Sequence, residues 1–137
     1  MMTMLSIEQL KVHEGFSPTI YKCTEGKLTF GYGFNVEAGI TEDEAELLLV
    51  HRVEQVESRL KQSFSWYTEL NEPRKAVLLN MAYQLGFNGL LKFSKTLALV
   101  KIGKYDQASE EMLNSLWARQ TPIRAQQLAI QMSSGDW

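Results

Sequence analysis

The chain has 137 residues, of which 45% are hydrophobic and 22% are charged, and its formal net charge is -2. This length suits one domain that can bury a core of its own. The nearly balanced charge creates no general attraction to polyanions, so we expect no nucleic-acid partner.

Long apolar segments and metal-ligand clusters are both missing from the sequence. No apolar run approaches the roughly 20 residues that span a bilayer, and the start lacks the pattern of a signal peptide. We therefore expect synthesis in a cytoplasm and no stable membrane insertion. One cysteine, Cys23, excludes an internal disulfide. His13 and His51 do not lie at ligand spacing from it, so we expect no metal site and no cofactor.

The first predicted helix covers residues 6–14. Ser6 and Gln9 have the spacing of a capping box, Ile7 and Leu10 follow helical periodicity, and Gly15 suits a helix end. Glu14 would then lie on the last turn.

A small hairpin follows the first helix. The segments "TIYKC" and "KLTFGYGF" are rich in β-branched and aromatic residues, and Thr24-Glu25-Gly26 between them predicts a turn. Gly31 and Gly33 indicate a bend or a close approach of the backbone to another group.

The rest of the chain is predicted to be helical. Thr41 and Glu44 form a capping box that starts a long helix to about Lys61. Pro73 opens an apolar helix that Gly86 stops, "LLKFSKTLALVKIG" and "YDQASEEMLNSLWARQ" predict one helix each, and Thr121-Pro122 starts a last helix. One hairpin followed by at least five helices gives an α+β fold.

Three side chains near the hairpin have the chemistry of a glycosidase site. Glu14 ends a helix, Cys23 lies on the first strand and Thr29 lies on the returning strand. Glycoside hydrolysis needs a protonated carboxyl group on one side of the scissile bond and, on the other side, a group that attacks the sugar or holds water. Each residue alone has an ordinary structural explanation, so the interpretation depends on the whole set.

The stretch "HEGFSPTIYKCTEGKLTFGYG" resembles the catalytic signature of phage-type (T4-like) lysozymes, glycoside hydrolase family 24. That pattern is Glu, eight residues, Asp or Cys, five residues and Thr, which Glu14, Cys23 and Thr29 match. Further segments resemble later parts of the family in the same order: "LLNMAYQLG", "GLLKFSKTL", "SLWARQTPIRA" and "SSGDW".

The resemblance implies one lysozyme-like domain over residues 1–137. A small amino-terminal β-hairpin lobe at about 15–40 would be joined by a long helix, about 41–61, to a larger helical lobe of about 62–137 that also includes helix 6–14. The loop that the best-known member has between Asn35 and Thr41 is absent here.

The resemblance also implies roles for individual residues. Glu14 would be the general acid, with Cys23 and Thr29 on the opposite face of the sugar. Arg124 would support the catalytic glutamate, and a cation at a helix start does call for a specific carboxylate partner. Four further residues would contact the substrate: Tyr83, Thr96, Glu111 and Asn35.

Cys23 leaves the mechanism open. A thiol is a poor base toward water, whereas a thiolate is a strong nucleophile. Cys23 either attacks the sugar, which predicts retention of configuration, or positions water, which predicts inversion.

The resemblance implies an endolysin that hydrolyses the β-1,4 links between N-acetylmuramic acid and N-acetylglucosamine in peptidoglycan. It would be a monomer that accumulates in the host bacterial cytoplasm and reaches the wall through a separate holin-like pore. Two alternatives stay open: a lytic transglycosylase that forms 1,6-anhydro ends, and a catalytically silent peptidoglycan-binding module.

Overall fold

The structure of the chain, a computed structural model, describes residues 4–137 apart from the side chain of Leu5. Over these residues it contains eight α-helices and one three-stranded antiparallel sheet near the amino end, which confirms the predicted α+β class. The chain divides into two compact units, with the boundary between Leu48 and Leu49. Within the same described residues, no helix is long and apolar enough to cross a membrane.

Helix α1 spans Met4–Glu14. Ser6 therefore lies inside the helix, and the prediction that a capping box at Ser6 starts it was wrong, as was the bound of 6–14. The carboxyl end was predicted correctly. The Gly15 N–H donates to the carbonyl oxygen of Lys11 at 2.9 Å, and Gly15 has φ of 68°, which ends the helix at Glu14.

The sheet consists of β1 (Ser17–Lys22), β2 (Leu28–Gly31) and β3 (Phe34–Asn35), in that order. The predicted turn at residues 24–26 is present. The predicted single returning strand is wrong, because that segment folds back on itself as a second hairpin. The physical reason is the positive φ of Gly31 (65°) and of Gly33 (74°), which turn the chain between β2 and β3. β2 is thus the central strand.

Helix α2 spans Glu42–Ser63, in agreement with the predicted long helix. Its capping box is present. The Thr41 N–H donates to the Glu44 carboxylate at 2.8 Å, and the Glu44 N–H donates to the Thr41 hydroxyl at 3.2 Å. These hydrogen bonds lower the pKa of the Glu44 carboxyl, since they favour its charged form.

The second unit is helical, with six helices after α2: α3 (Glu72–Leu85), α4 (Phe87–Leu91), α5 (Ser94–Lys101), α6 (Tyr105–Leu113), α7 (Leu116–Gln120) and α8 (Pro122–Ser134). Two of the predicted helices each divide in two. Phe93 leaves helical geometry with ψ of 50° and packs edge-on against Trp117, with 5.8 Å between ring centroids. Ser115 begins α7, where its hydroxyl accepts from the Ala118 N–H at 3.1 Å.

The buried apolar core described by the structure lies within the second unit. It contains side chains from α2 through α8. Three aliphatic or thioether side chains of α3 have no exposed surface. These are Val77, Leu78 and Met81. α3 is therefore central, as its largely apolar sequence predicted.

Candidate active site

Glu14 packs against the turn that joins β2 to β3. A Cβ atom built on Gly33 would overlap with the Glu14 carboxylate and would lie 2.8 Å from its Cδ. Gly33 also has φ of 74°, a conformation that residues with a Cβ rarely adopt. The absence of a side chain at Gly33 therefore lets the carboxylate lie directly on the backbone of the turn.

The prediction that Cys23 lies on the first strand was wrong, because β1 ends at Lys22 and Cys23 begins the turn that joins β1 to β2. Its N–H donates to the carbonyl oxygen of Lys27 at 2.9 Å, and its own carbonyl accepts from the Gly26 N–H at 2.8 Å. The side chain is half-buried. Hydrogen bonds from the backbone N–H of Lys27, then from that of Glu25, and a weaker one from the Thr29 hydroxyl lower the pKa of the thiol.

Two influences oppose this lowering of the Cys23 pKa. Partial desolvation and the negative charge of Glu25 both disfavour the thiolate. The hydrogen bonds outweigh them, so the pKa of the thiol lies below its ordinary value.

Thr29 lies on the central strand, where it pairs with Tyr21 of β1 and Asn35 of β3. It is only 4% exposed, and its hydroxyl donates to the carbonyl oxygen of Lys27 at 2.9 Å. The hydroxyl also lies within hydrogen-bonding reach of the Cys23 sulfur. The structure thus places Cys23 and Thr29 at the same end of the first hairpin, and Glu14 lies on the turn that follows the strand of Thr29.

Asn35 has a structural contact of its own. Its side-chain oxygen accepts from the Glu37 N–H at 3.0 Å and caps a single 3₁₀ turn, Val36–Ala38. The amide nitrogen of Asn35 is not used in that hydrogen bond, so a contact with substrate stays a prediction.

In the second unit, Thr96 and Glu111 line the same groove of about 550 Å³. Thr96 is 2% exposed on α5, and Glu111 is half-buried on α6. Trp117 forms part of the wall, and its indole N–H donates to the side-chain oxygen of Gln84 at 2.9 Å. Lys92 also lines this groove. Aromatic and polar side chains in one groove suit a saccharide, which presents both apolar faces and hydroxyl groups.

Tyr83 lines a different groove, which lies between α2 and α3 and also has a volume of about 550 Å³. Its side chain is 43% exposed. The structure therefore places Tyr83 apart from the groove that contains Thr96 and Glu111.

Arg124 has a fixed partner within its own unit. Its Nε and Nη2 atoms both donate to the Oδ1 atom of Asn80, at 2.9 and 2.7 Å. The expected pairing with Glu14 stays a prediction, and the guanidinium retains further donors for it.

Asn80, the hydrogen-bond partner of Arg124, was not predicted from the sequence. It interrupts the apolar run "VLLNMAY" on α3. A polar side chain in the middle of a buried helix needs a hydrogen-bond partner, so this interruption was the available signal. Its partner, Arg124, could not be identified from the run itself.

Comparison with known proteins places these residues in a family. The model of the phage lysozyme family matches residues 11–129, a range that includes every candidate residue described above. The chain belongs to the phage lysozyme family. Members of this family are glycoside hydrolases with lysozyme-type activity on peptidoglycan, and the same assignment applies to this lysozyme.

Curated relatives agree with the assignment of this lysozyme. It is 30% identical to probable T4-type lysozyme 1 of Dictyostelium discoideum, and the match covers 93% of each chain. It is 28% identical to probable T4-type lysozyme 2 of the same organism, again over 93% of each chain. The first alignment extends over 159 positions, more than the 137 residues here, so it contains insertions in the relative.

A third relative is matched over only part of its length. The chain is 26% identical to part of the pre-baseplate central spike protein of Enterobacteria phage T4, and the match covers 97% of this chain but 28% of that protein.

Proposed function

We propose that this lysozyme is a muramidase that hydrolyses the β-1,4 links between N-acetylmuramic acid and N-acetylglucosamine. One observation carries the proposal: Glu14 lies on the Gly33 turn, directly after the strand that carries Thr29, and Cys23 begins the turn that leads into that strand. The end of α1 and the hairpin that follows it thus supply a carboxyl group, a thiol of lowered pKa and a hydroxyl.

Glu14 acts as the general acid. Its proton passes to the glycosidic oxygen as the bond from that oxygen to the anomeric carbon breaks, and the sugar acquires oxocarbenium character. The positive charge of Arg124 then stabilises the ionised Glu14 carboxylate that remains after the proton transfer.

Cys23 and Thr29 act on the opposite face of the sugar. The single proton of the Thr29 hydroxyl can be donated to the Lys27 carbonyl oxygen or to the Cys23 sulfur, and with either acceptor the lone pairs of the Thr29 oxygen can accept a hydrogen bond from water. A thiolate at Cys23, favoured by the backbone N–H groups, stabilises positive charge at the anomeric carbon. Water then attacks, one of its protons is lost to solvent, and the configuration inverts.

The remaining predicted residues contact the glycan. Thr96 and Glu111 lie in one groove, Tyr83 lies in another, and Asn35 lies beside Thr29 in the sheet. We assign these four side chains to saccharide binding.

We infer that the biological role is host-cell lysis. In this role a monomeric endolysin accumulates in the host cytoplasm and reaches the wall through a separate holin-like pore. Expression in a bacterium should cause lysis only when a pore-forming protein is supplied as well. Lysis without a pore would contradict the inferred route.

Product analysis of purified peptidoglycan tests the activity. Reducing ends and an inverted anomer are expected from the wild type, measured by mass spectrometry and by NMR of the fresh product. Glu14→Gln should lower the rate by about 10²- to 10⁴-fold, the range for loss of a general acid. Glu37→Gln, which removes an exposed carboxyl group on the 3₁₀ turn, is the matched control and should retain the rate.

Two variants of Cys23 complete the test. Cys23→Ser should lower the rate, and Cys23→Asp should restore a negative group at that position. Anhydro ends would identify a transglycosylase, a retained anomer would identify Cys23 as a nucleophile, and an absence of products would indicate a binding module. Each of these outcomes contradicts the proposal as stated.

A further inference from the structure

The groove between α2 and α3 has a chemistry that saccharide binding does not require. We call it the arginine groove and define it by Arg52, Gln55, Val56, Arg59, Tyr83 and Phe87. It belongs entirely to the second unit. Two of its six named residues are cations, and none of its lining residues is an acid.

The two arginines share one face of α2. They lie seven positions apart, which is two helical turns and about 10 Å along the axis. Gln55 and Val56 lie between them on the same face. The spacing therefore presents two guanidinium groups in one row along the groove.

Neither arginine is neutralised within its unit. Within residues 49–137, Arg52 and Arg59 form no ion pair with a carboxylate; the ion pairs described there involve lysines. Arg59 is instead held over the ring of Phe87, with its Cζ atom 4.2 Å from the ring centroid. Stacking of this kind leaves the edge of the guanidinium, with its N–H donors, free to pair with an anion.

We propose that the arginine groove binds carboxylate groups of the peptides attached to the glycan. The inference rests on the proposed function, since peptidoglycan is the polymer that this lysozyme acts on. The repeating unit of that polymer carries carboxylates on its peptides and no phosphate. Guanidinium groups bind carboxylates through two parallel hydrogen bonds, and the apolar surface of Val56 and Phe87 can cover the peptide chain beside them.

Binding to defined muropeptides tests the proposal without turnover. Glu14→Gln serves as the background variant, so that the probe is not consumed. The probes are a disaccharide peptide with free carboxylates and the same compound with its carboxylates amidated, measured by calorimetry and by NMR of the arginine Nε–H groups. The free acid should bind about five- to tenfold more tightly than the amide, the range for partly exposed charged hydrogen bonds.

Two sets of variants locate the effect. Arg52→Gln and Arg59→Gln should each reduce this preference for the free acid. Arg119→Gln removes an exposed guanidinium from α7, outside the groove, and should retain the preference. Equal binding of acid and amide to the background variant would overturn the proposal.

Two further measurements test whether the carboxylates bind in the other groove and whether the arginine groove prefers phosphate. If Lys92→Gln and Lys95→Gln remove the preference while the arginine variants retain it, the carboxylates bind in the other groove and the proposal is wrong. If poly(glycerol phosphate) displaces the free acid and binds more tightly, the site is a phosphate site and the proposal is also wrong. Because binding is measured directly, an absence of hydrolysis by the wild type would contradict the proposed function without changing this result.

Discussion

The two units of this lysozyme hold their shape by different means. The second unit buries a continuous set of aliphatic, aromatic and thioether side chains between its helices. Among the side chains that the structure describes between residues 4 and 48, Thr29 alone is buried. The candidate catalytic residues all lie in this first unit, where turns, glycines and local hydrogen bonds fix their positions.

Stability and chemistry therefore reside in different parts of the chain. Apolar burial supplies most of the free energy of folding, so the second unit should dominate the stability. Local backbone geometry can position a carboxyl or thiol group without adding much to that stability. Substitutions in the two units should therefore separate changes in stability from changes in rate.

The largest expected effect is the loss of a core side chain. Leu78→Ala on α3 should lower the free energy of unfolding by about 2–5 kcal/mol, because Leu78 has no exposed surface. Leu47→Ala, at a position that is 72% exposed, makes the same change in the first unit and should cost less than about 0.5 kcal/mol. Urea unfolding measures both. Equal losses would contradict the inference that the second unit dominates the stability.

The next effect concerns the position of the Glu14 carboxylate on the turn between β2 and β3. Gly33→Ala should lower kcat/KM by about a hundredfold, because a Cβ displaces the carboxylate, and misplacement of a catalytic group by about 1 Å can cost that much. Gly26→Ala is the matched control, with φ of 78° and no atom within 4 Å of the added Cβ. Both variants share the backbone strain of about 1–2 kcal/mol. Similar losses of activity in both would show that strain, and not the contact with Glu14, is responsible.

A smaller effect concerns the reactivity of Cys23. Because the Thr29 hydroxyl helps to lower the pKa of the thiol, Thr29→Val should raise that pKa and move the pH profile of alkylation by iodoacetamide to higher pH. Thr19→Val changes an exposed threonine on β1 and should leave the profile in place. An unshifted profile for Thr29→Val would argue against the contact between Thr29 and Cys23.

The smallest effect concerns the start of α2. Glu44→Gln removes the charged acceptor of the hydrogen bond from the Thr41 N–H and should slightly lower the free energy of unfolding at neutral pH. The capping box lowers the pKa of Glu44, so its stabilisation is present above the ordinary glutamate pKa and is lost as the pH falls through the lowered value. The difference between variant and wild type should therefore shrink in acid. Thermal unfolding from pH 7 to pH 3 measures it, and a constant difference would contradict the assignment to Glu44.

The sequence predicted the elements that have strong local signals. The capping box at Thr41, the glycine that ends α1, and the helix that follows Pro73 were confirmed. Each is decided by neighbouring residues, so a short segment contains the necessary information. Ser6 shows the limit of such signals, because the same pattern there lies inside α1.

The breaks between α4 and α5 and between α6 and α7 were not predicted. Phe93 leaves helical geometry where its ring packs against Trp117, a residue distant in sequence. The pairing of Arg124 with Asn80 is of the same kind, since it joins α8 to α3. Contacts of this type depend on the folded arrangement and cannot be seen in a local pattern. The proximity of Thr29 to Cys23, in contrast, could be predicted from the sequence, because a hairpin turn alone brings these residues together.

The short sequence distances within the candidate site have a consequence for how it forms. Cys23 and Thr29 lie six positions apart, and Glu14 and Gly33 lie nineteen apart, so the whole set occurs in one continuous stretch of chain. The entropy lost on closing such short loops is small, and contacts that are local in sequence form rapidly. We expect the catalytic geometry to assemble early in folding, before the contact between α3 and α8, which joins residues 44 positions apart, is complete.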